Sequence, residues 1–249
     1  MDIKEEEEIK KEFQLERVVL FTDAVFAIIL TIMVLELKLP EAINKLGDKE
    51  IHDAFKELIL KFFGYVITFG LVARFWVAHL KLFRYLKDYD QKLLGLNLLF
   101  LFTVTLFPFA VSLITRKTNP ETQLEIYNLT WLIYVAVLFS TIFTQSLISR
   151  YLLKNRDKLC INAVDLETNF EWKIGRVNLF LIPALMAVLI ALTFLNLPYY
   201  VPVYVVAVYG IVISQVKKKY YPAGDKGPLI AQLYRYVKAK RKKQVITKT

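Results

Sequence analysis

Cysteine and histidine are scarce in this 249-residue chain, which contains one cysteine, Cys160, and two histidines. A single cysteine excludes a disulfide bond within the chain, and no Cys/His spacing typical of a metal site is present. His52 and His79 are predicted at opposite ends of one apolar run, too far apart to share a metal ion. The sequence also lacks a P-loop, an H-E-x-x-H segment and a recognisable Ser/His/Asp set. We therefore expect neither an enzyme nor a bound cofactor.

Acidic residues are outnumbered by basic ones, which gives a formal net charge of +10. The basic residues crowd the segments between and after long apolar blocks, as topology signals of membrane proteins do. This placement argues against a nucleic-acid partner. The chain is 56% hydrophobic with a mean hydropathy of +0.41, which is too apolar for an ordinary soluble domain. An integral membrane protein is therefore predicted.

The apolar blocks predict an all-α, polytopic membrane protein with six transmembrane helices. We expect residues 1–216 to form this six-helix domain and residues 217–249 to form a basic tail. Residues 149–175 are expected to be the longest polar loop. Pro108 should kink the third span, and Pro183 and Pro202 should interrupt the last two. The predicted spans lie at about 17–38, 55–83, 93–114, 126–147, 177–195 and 199–214.

The distribution of lysine and arginine predicts the orientation. The segments on one side, 1–17, 84–92, 150–176 and 217–249, hold 4, 3, 6 and 11 of these residues. The connections on the other side hold three, two and none. Because the cytoplasmic segments of membrane proteins are enriched in lysine and arginine, both termini are predicted in the cytoplasm. The basic tail is expected to lie on anionic lipid headgroups or to form a solvated end.

The first span, Arg17–Leu37, contains an ionisable residue, Asp23, which is costly in a membrane unless it faces protein or water. Further along, four residues share one helical stripe because they follow i, i+3, i+4 and i+7 spacing. These are Ile28, Thr31, Ile32 and Leu35. Asp23 points away from this stripe. The residues alone allow either a packed membrane anchor with a structural carboxylate or a conduction pathway.

The start of this span resembles a known channel family. Arg17, Phe21, Thr22 and Asp23, followed by Ala24–Ile28, resemble the pattern R-x-x-x-F-S-D-A-V-F-A-I. That pattern opens the first helix in the lysosomal potassium channel family, transmembrane protein 175, and in its single-repeat bacterial relatives. Thr22 replaces the usual serine but retains a hydroxyl. The resemblance implies a potassium-permeable cation channel of a non-canonical fold, and the chain indeed lacks a T-V-G-Y-G filter.

The resemblance also implies how the stripe is used. In the family, first helices from several subunits line the pore. Ile28 matches the narrowest apolar ring, Thr31 matches a threonine layer implicated in selectivity, and Leu35 matches a further apolar ring. Ile32 lies on the same stripe and is expected to line the pore too, with permeating potassium near Thr31. The alternative for Thr31 is a hydroxyl that bonds back to its own helix.

A second set of residues resembles a polar network of the family. We expect this network to hold the first helix against its neighbours rather than to coordinate ions. For His79, an interfacial histidine that reaches towards water is the alternative. The set comprises Arg17, Phe21, Thr22 and Asp23 on the first span, with Trp76, His79 and Asn97.

A single helix cannot enclose a pore, so several copies are required. The family's animal members carry two six-helix repeats and work as dimers, which implies a homotetramer for this single-repeat chain. The single repeat also suggests a prokaryotic plasma membrane. The main alternative is a proton-coupled secondary transporter with Asp23 and His79 as a relay, although no inverted repeat is visible. A membrane scaffold without transport is the third hypothesis.

Overall fold

The computed structural model describes residues 3–37, 47–114, 123–161, 172–194 and 201–220. Within these ranges the regular structure is helical, apart from an isolated antiparallel bridge between Leu86 and Cys160. A short 3-10 helix, Met33–Glu36, follows the first α-helix. The α-helices are α1 (Ile3–Ile32), α2 (Asp48–Phe83), α3 (Gln91–Thr105), α4 (Phe107–Ile114), α5 (Gln123–Lys154), α6 (Arg156–Leu159), α7 (Trp172–Phe194) and α8 (Val201–Tyr220).

Six stretches within the described ranges are long and apolar enough to cross a membrane, which confirms the predicted all-α, six-span fold class. Together α3 and α4 form the third of them. The six stretches are Lys10–Leu35, Glu50–Phe83, Gln91–Ile114, Leu129–Lys154, Trp172–Leu192 and Val201–Tyr220. The predicted turn at 196–198 and the tail beyond Tyr220 lie outside the described residues.

The predicted polar loop at 149–175 is wrong at its start. The fourth span continues as α5 to Lys154, and α6 follows at once. This segment is amphipathic, because Ile148, Leu152 and Leu159 are fully buried while Arg150 is exposed. Its charged residues cover one face of a helical segment, which a count of polar residues alone does not reveal.

Proline has different effects at its three predicted positions. Pro108 lies in the first turn of α4, and the chain turns at Leu106 between α3 and α4, which confirms the predicted irregularity. Pro183 lies inside α7, which runs through it without interruption. Pro202 lies in the first turn of α8, where a missing N–H requires no helical partner. The predicted interruptions at Pro183 and Pro202 are therefore wrong.

The core lies where α5 meets α3, α4 and α7, and where α1 packs against α2 and α3. Its largest fully buried side chains include Phe26, Phe100, Phe107 and Phe139. By its contacts the chain divides into two units, Met1–Tyr209 and Gly210–Thr249. In the second unit, the described residues form the end of α8 and include Lys217, Lys218 and Lys219. The division at residue 216 expected from the sequence stays a prediction.

Candidate functional site

Together, α1 and the 3-10 helix that follows it, which contains Met33 and Leu35, present one face to the core and the opposite face outwards. Phe26, Ile29 and Met33 are buried at spacings of three and four residues, as packing against α2, α3 and α4 requires. The predicted stripe lies on the other side. Ile28 is 55% exposed, Ile32 43% and Leu35 61%, so their own chain leaves these apolar side chains uncovered.

Thr31 also lies on the exposed stripe. Its hydroxyl donates to the carbonyl oxygens of Ala27 at 3.0 Å and Ile28 at 2.8 Å, as in the alternative interpretation of this residue. A hydroxyl has one proton to donate and two lone pairs that accept. These bonds use the proton, so lone pairs on Thr31 Oγ1 remain able to face a cation. The helix bond and a role towards ions are therefore compatible.

On the buried side of α1, three side chains form a continuous hydrogen-bonded path between α1, α2 and α3. His79 Nε2 lies 2.8 Å from Asn97 Oδ1, and Asn97 Nδ2 donates to Thr22 Oγ1 at 3.0 Å. The Thr22 hydroxyl in turn donates to the carbonyl of Val18 at 3.0 Å. All three side chains are buried, with exposures of 2% or less. This path ties the start of the first span to both neighbouring helices.

The direction of each bond in this path follows from the last one. Since Thr22 uses its proton on the Val18 carbonyl, it must accept from Asn97, which assigns the amide nitrogen to that side. The Asn97 oxygen then faces His79, so His79 Nε2 carries a proton and donates it. The arrangement satisfies every polar atom between the histidine Nε2 and the backbone, which is what a buried polar group in a membrane protein requires.

Aromatic rings enclose His79. Its ring stacks on Phe83 with a centroid separation of 3.9 Å and lies nearly parallel to Phe100 at 5.4 Å. Phe26 on α1 contacts both His79 and Phe100, at 6.4 and 5.9 Å. The histidine is therefore a packed interior side chain, not one that reaches towards water.

Asp23 is held separately. Trp76 Nε1 donates to Asp23 Oδ1 at 2.8 Å, a charge-assisted bond between α2 and α1. Trp76 and His79 thus face α1 together, as their spacing of three residues predicts. Arg17 and Phe21 are exposed, and within the described part of the chain no hydrogen bond or ion pair joins Arg17 to Asp23. Their membership of the network stays a prediction.

The described residues contain no group of three or more His, Cys, Asp and Glu side chains able to hold a metal ion.

Sequence reasoning missed other polar contacts inside the bundle. Asn178 donates to Ser146 Oγ at 3.2 Å and accepts from the Tyr209 hydroxyl at 3.2 Å. It also missed a basic cavity between α5 and α7, because Arg150 and Lys154 on α5 lie more than twenty positions before Arg176 on α7. The spacing of four residues between Arg150 and Lys154 near the end of α5 was the available signal.

Comparisons with known proteins match the part of the chain that contains this site. Residues 17–108, which include the exposed stripe and the whole hydrogen-bonded path, match the family described as "Endosomal/lysosomal potassium channel TMEM175". A potassium channel of a Chryseobacterium species is 32% identical over 109 residues, which cover 44% of this chain and 53% of the relative. A potassium channel of Streptomyces collinus is 33% identical over 105 residues, covering 42% and 50%. The chain thus spans about half the length of these curated relatives.

A solved structure extends the likeness in fold to most of the chain. It is a lysosomal potassium-selective channel TMEM175 homolog from Chamaesiphon minutus, with a TM-score of 0.57 and 19% identity. The superposition covers 81% of this chain and 97% of that one. At this identity the likeness establishes the fold alone. The similarity in sequence to the TMEM175 family lies in residues 17–108.

Proposed function

We propose that the protein is a potassium-permeable cation channel whose pore is lined by α1 from four identical subunits. Four copies of Ile28 form the constriction, and Thr31 forms a hydroxyl layer that sets selectivity. Ile32 and Leu35 line the pore beyond it. The proposal includes no enzymatic activity and no cofactor other than the permeating ion.

The observation that carries this proposal is the uncovered stripe of α1. Its apolar members are 43–61% exposed although the opposite face of the same helix is buried in the core. A polar residue, Thr31, lies in the middle of this stripe. The family model described as an endosomal/lysosomal potassium channel matches residues 17–108, which include this stripe. A surface left for copies of itself accounts for both features.

The chemistry of the stripe suits a gate and a filter. A narrow apolar ring excludes water and blocks an ion that cannot shed its hydration shell. Hydroxyl oxygens one turn away can replace part of that shell, which favours the ion that dehydrates at lower cost, potassium over sodium. The lone pairs that Thr31 retains are the groups such a layer needs.

The path from His79 to Thr22 and the bond from Trp76 to Asp23 support a structural role for the polar network. Both fix the start of the pore helix against α2 and α3. Asp23→Asn should therefore disturb assembly or conductance. Asp23 bonds to Trp76 and His79 bonds to Asn97, and among the described residues no hydrogen bond joins Asp23 to His79, which favours a structural role over a proton relay. We place the channel in a prokaryotic plasma membrane because bacterial potassium channels are among its relatives. We place both termini in the cytoplasm because of the distribution of basic residues.

Cysteine accessibility tests this proposal. Cys160 is the one native cysteine. It is 2% exposed, and burial raises the pKa of its thiol although Lys87 opposes the shift, so it reacts slowly with thiol reagents. Replacing it by serine removes even this background reaction. Ile28→Cys in that background should lose potassium current when a charged methanethiosulfonate reagent is added. The adjacent Ile29→Cys, which is 4% exposed in the native protein, serves as the matched control and should keep its current.

Equal inhibition of the two cysteine variants, or inhibition of neither, would contradict a pore lined by this stripe. A second variant gives an independent check. Ile28→Asn widens and wets the constriction, so it should raise conductance in a channel and have no effect in a scaffold.

A further inference from the structure

A cavity of about 580 Å³ lies between the end of α5 and the start of α7. It belongs to a different part of the bundle from the stripe on α1. Its lining residues are Arg150, Leu153, Lys154, Trp172, Gly175, Arg176 and Phe180. Three of these side chains are cationic and none is acidic, so the part of the lining that the structure describes has a single sign of charge.

Helical spacing places the cations together. Arg150 and Lys154 are four residues apart on α5, and Arg176 lies one turn after the start of α7. None of the three forms an ion pair with a carboxylate in the described ranges. Three cations that converge on one concave surface repel one another, and an anion bound between them relieves that repulsion.

The other side of the cavity is apolar. Trp172, Arg176 and Phe180 follow one another at intervals of four residues along α7, so the charged end passes directly into an apolar stripe. Phe180 is 73% exposed. The Arg176 guanidinium lies 5.1 Å from the centre of the Trp172 ring, which orients both side chains at the mouth of the cavity. A ligand that fills this space needs an anionic head and an apolar body.

Gly175 forms part of the cavity wall because α7 approaches α5 closely there. A Cβ atom at this position would lie 3.3 Å from Ser149 Oγ. Ser149 is 4% exposed, and its hydroxyl has no hydrogen-bond partner among the described residues. The polar atom thus lies beside the cavity wall without a partner, whereas Ser146 one turn earlier bonds to its own helix.

We propose that this cavity binds the phosphoryl headgroup of an anionic membrane lipid, with its acyl chain along Phe180. A phosphoryl group matches the guanidinium groups of Arg150 and Arg176, which bind its oxygens in a planar, two-bond geometry. The position at the ends of two membrane-spanning helices, with Trp172 at the boundary, favours a lipid over free phosphate. The proposed site is independent of the basic tail and of the pore.

Tryptophan quenching tests the site directly, because Trp172 lines it and the chain has three tryptophans. The full-length protein is placed in phosphatidylcholine nanodiscs that contain a minor fraction of brominated phosphatidylglycerol. The matched sample contains brominated phosphatidylcholine instead. We expect stronger quenching by the anionic lipid, and Trp172→Phe should abolish this excess.

Charge-removing variants separate a built site from general surface charge. Arg150→Gln combined with Arg176→Gln should lower the preference for phosphatidylglycerol by up to roughly 25-fold, because each basic residue contributes a factor of about five at an anionic surface. Lys81→Gln combined with Arg84→Gln, which removes two exposed charges at the end of α2, should preserve the preference.

Three results would overturn the proposal. The first is an equal loss of preference in both double variants, and the second is an excess that persists in Trp172→Phe. The third is loss of the preference on addition of inorganic phosphate, relative to chloride at equal ionic strength, which would assign the cavity to free phosphate. Since the readout requires no current, it stands or falls independently of the channel proposal.

Discussion

The buried amide of Asn97 has one orientation that satisfies both of its neighbours. Thr22 can only accept from it and His79 can only donate to it, given the bond from Thr22 to the Val18 carbonyl. Replacing any of the three side chains should lower the stability of the protein, because it leaves a buried polar group of the path without a hydrogen-bond partner. Such groups cost more than the hydrogen bond itself contributes.

Thr22→Val should therefore destabilise the protein by about 1–3 kcal/mol, since it removes the acceptor for the Asn97 amide while preserving the shape of the side chain. The measurement is the melting temperature of purified protein in detergent. Thr105→Val is the matched control, because Thr105 is exposed and its only hydrogen bond among the described residues is to the Phe102 carbonyl of its own helix. Equal melting temperatures for the two variants would contradict a supporting role for the path.

At the scale of helices, Asp90 joins two elements. Its side chain caps α3 by accepting from the Leu93 amide at 2.8 Å, and it also accepts from the Tyr151 hydroxyl on α5. Partial burial raises the pKa of Asp90, but the bonds from Tyr151 and Leu93 and the charges of Lys158 and Lys92 outweigh it and lower the pKa below 3.8. The carboxylate thus favours the folded state above that pH.

Asp90→Ala should lower stability by about 1 kcal/mol at neutral pH, as the loss of a helix cap typically does. The folded-state pKa is depressed, so the wild-type advantage is complete above the unfolded value of 3.8 and fades as the pH falls through the folded value. Thermal unfolding of both proteins across acidic and neutral pH measures this difference. Asp53→Ala, which removes an exposed ion pair with Lys56, should change little at any pH. A constant difference down to the lowest pH would contradict the assignment.

The helices themselves were largely predictable, and the reasons differ between elements. A long apolar run predicts a membrane-spanning helix without any knowledge of the helices that pack against it. Pro108 marks the turn between α3 and α4 because proline has no backbone N–H to donate to the preceding turn. Pro183 carries the same local signal, yet α7 continues through it. Membrane helices accommodate a proline when packing supports both halves, and a single sequence does not report that packing.

The candidate site was predictable where residues share a helix and less so elsewhere. Ile28, Thr31, Ile32 and Leu35 follow from periodicity, and their exposure agrees with it. The family resemblance indicated a network of seven residues that includes Thr22, His79 and Asn97, but only the distances reveal that these three form one directed path. Arg150 and Arg176 resembled topology signals in sequence. Their common cavity depends on how α5 packs against α7, which is a property of the fold.

At the scale of the whole molecule, the proposed channel requires other copies of the chain. One subunit supplies one α1 helix, and the exposed stripe on a single helix cannot enclose a pore. Native mass spectrometry of the protein released from detergent should give the mass of four 29.0 kDa chains. A monomer under conditions that preserve a control tetrameric channel would contradict the proposed assembly.

Disruption of the stripe should affect assembly in a position-dependent way. Leu35→Lys introduces a charge at the most exposed apolar position of the stripe, where four copies would repel one another. We expect it to reduce the tetramer fraction in native mass spectrometry. The matched variant Phe180→Lys, at the still more exposed Phe180 on α7, should leave the tetramer intact. Equal effects would indicate that the stripe on α1 is not where subunits meet.

The reversal potential of the purified protein in a planar bilayer, under opposed potassium and sodium gradients, tests the central claim most directly. The account predicts a current that reverses close to the potassium equilibrium potential. Thr31→Ala should move the reversal potential towards zero, while Thr31→Ser, which retains the hydroxyl, should preserve it. Correctly inserted protein that carries no current, with flux appearing only under a proton gradient, would contradict the channel and favour a carrier.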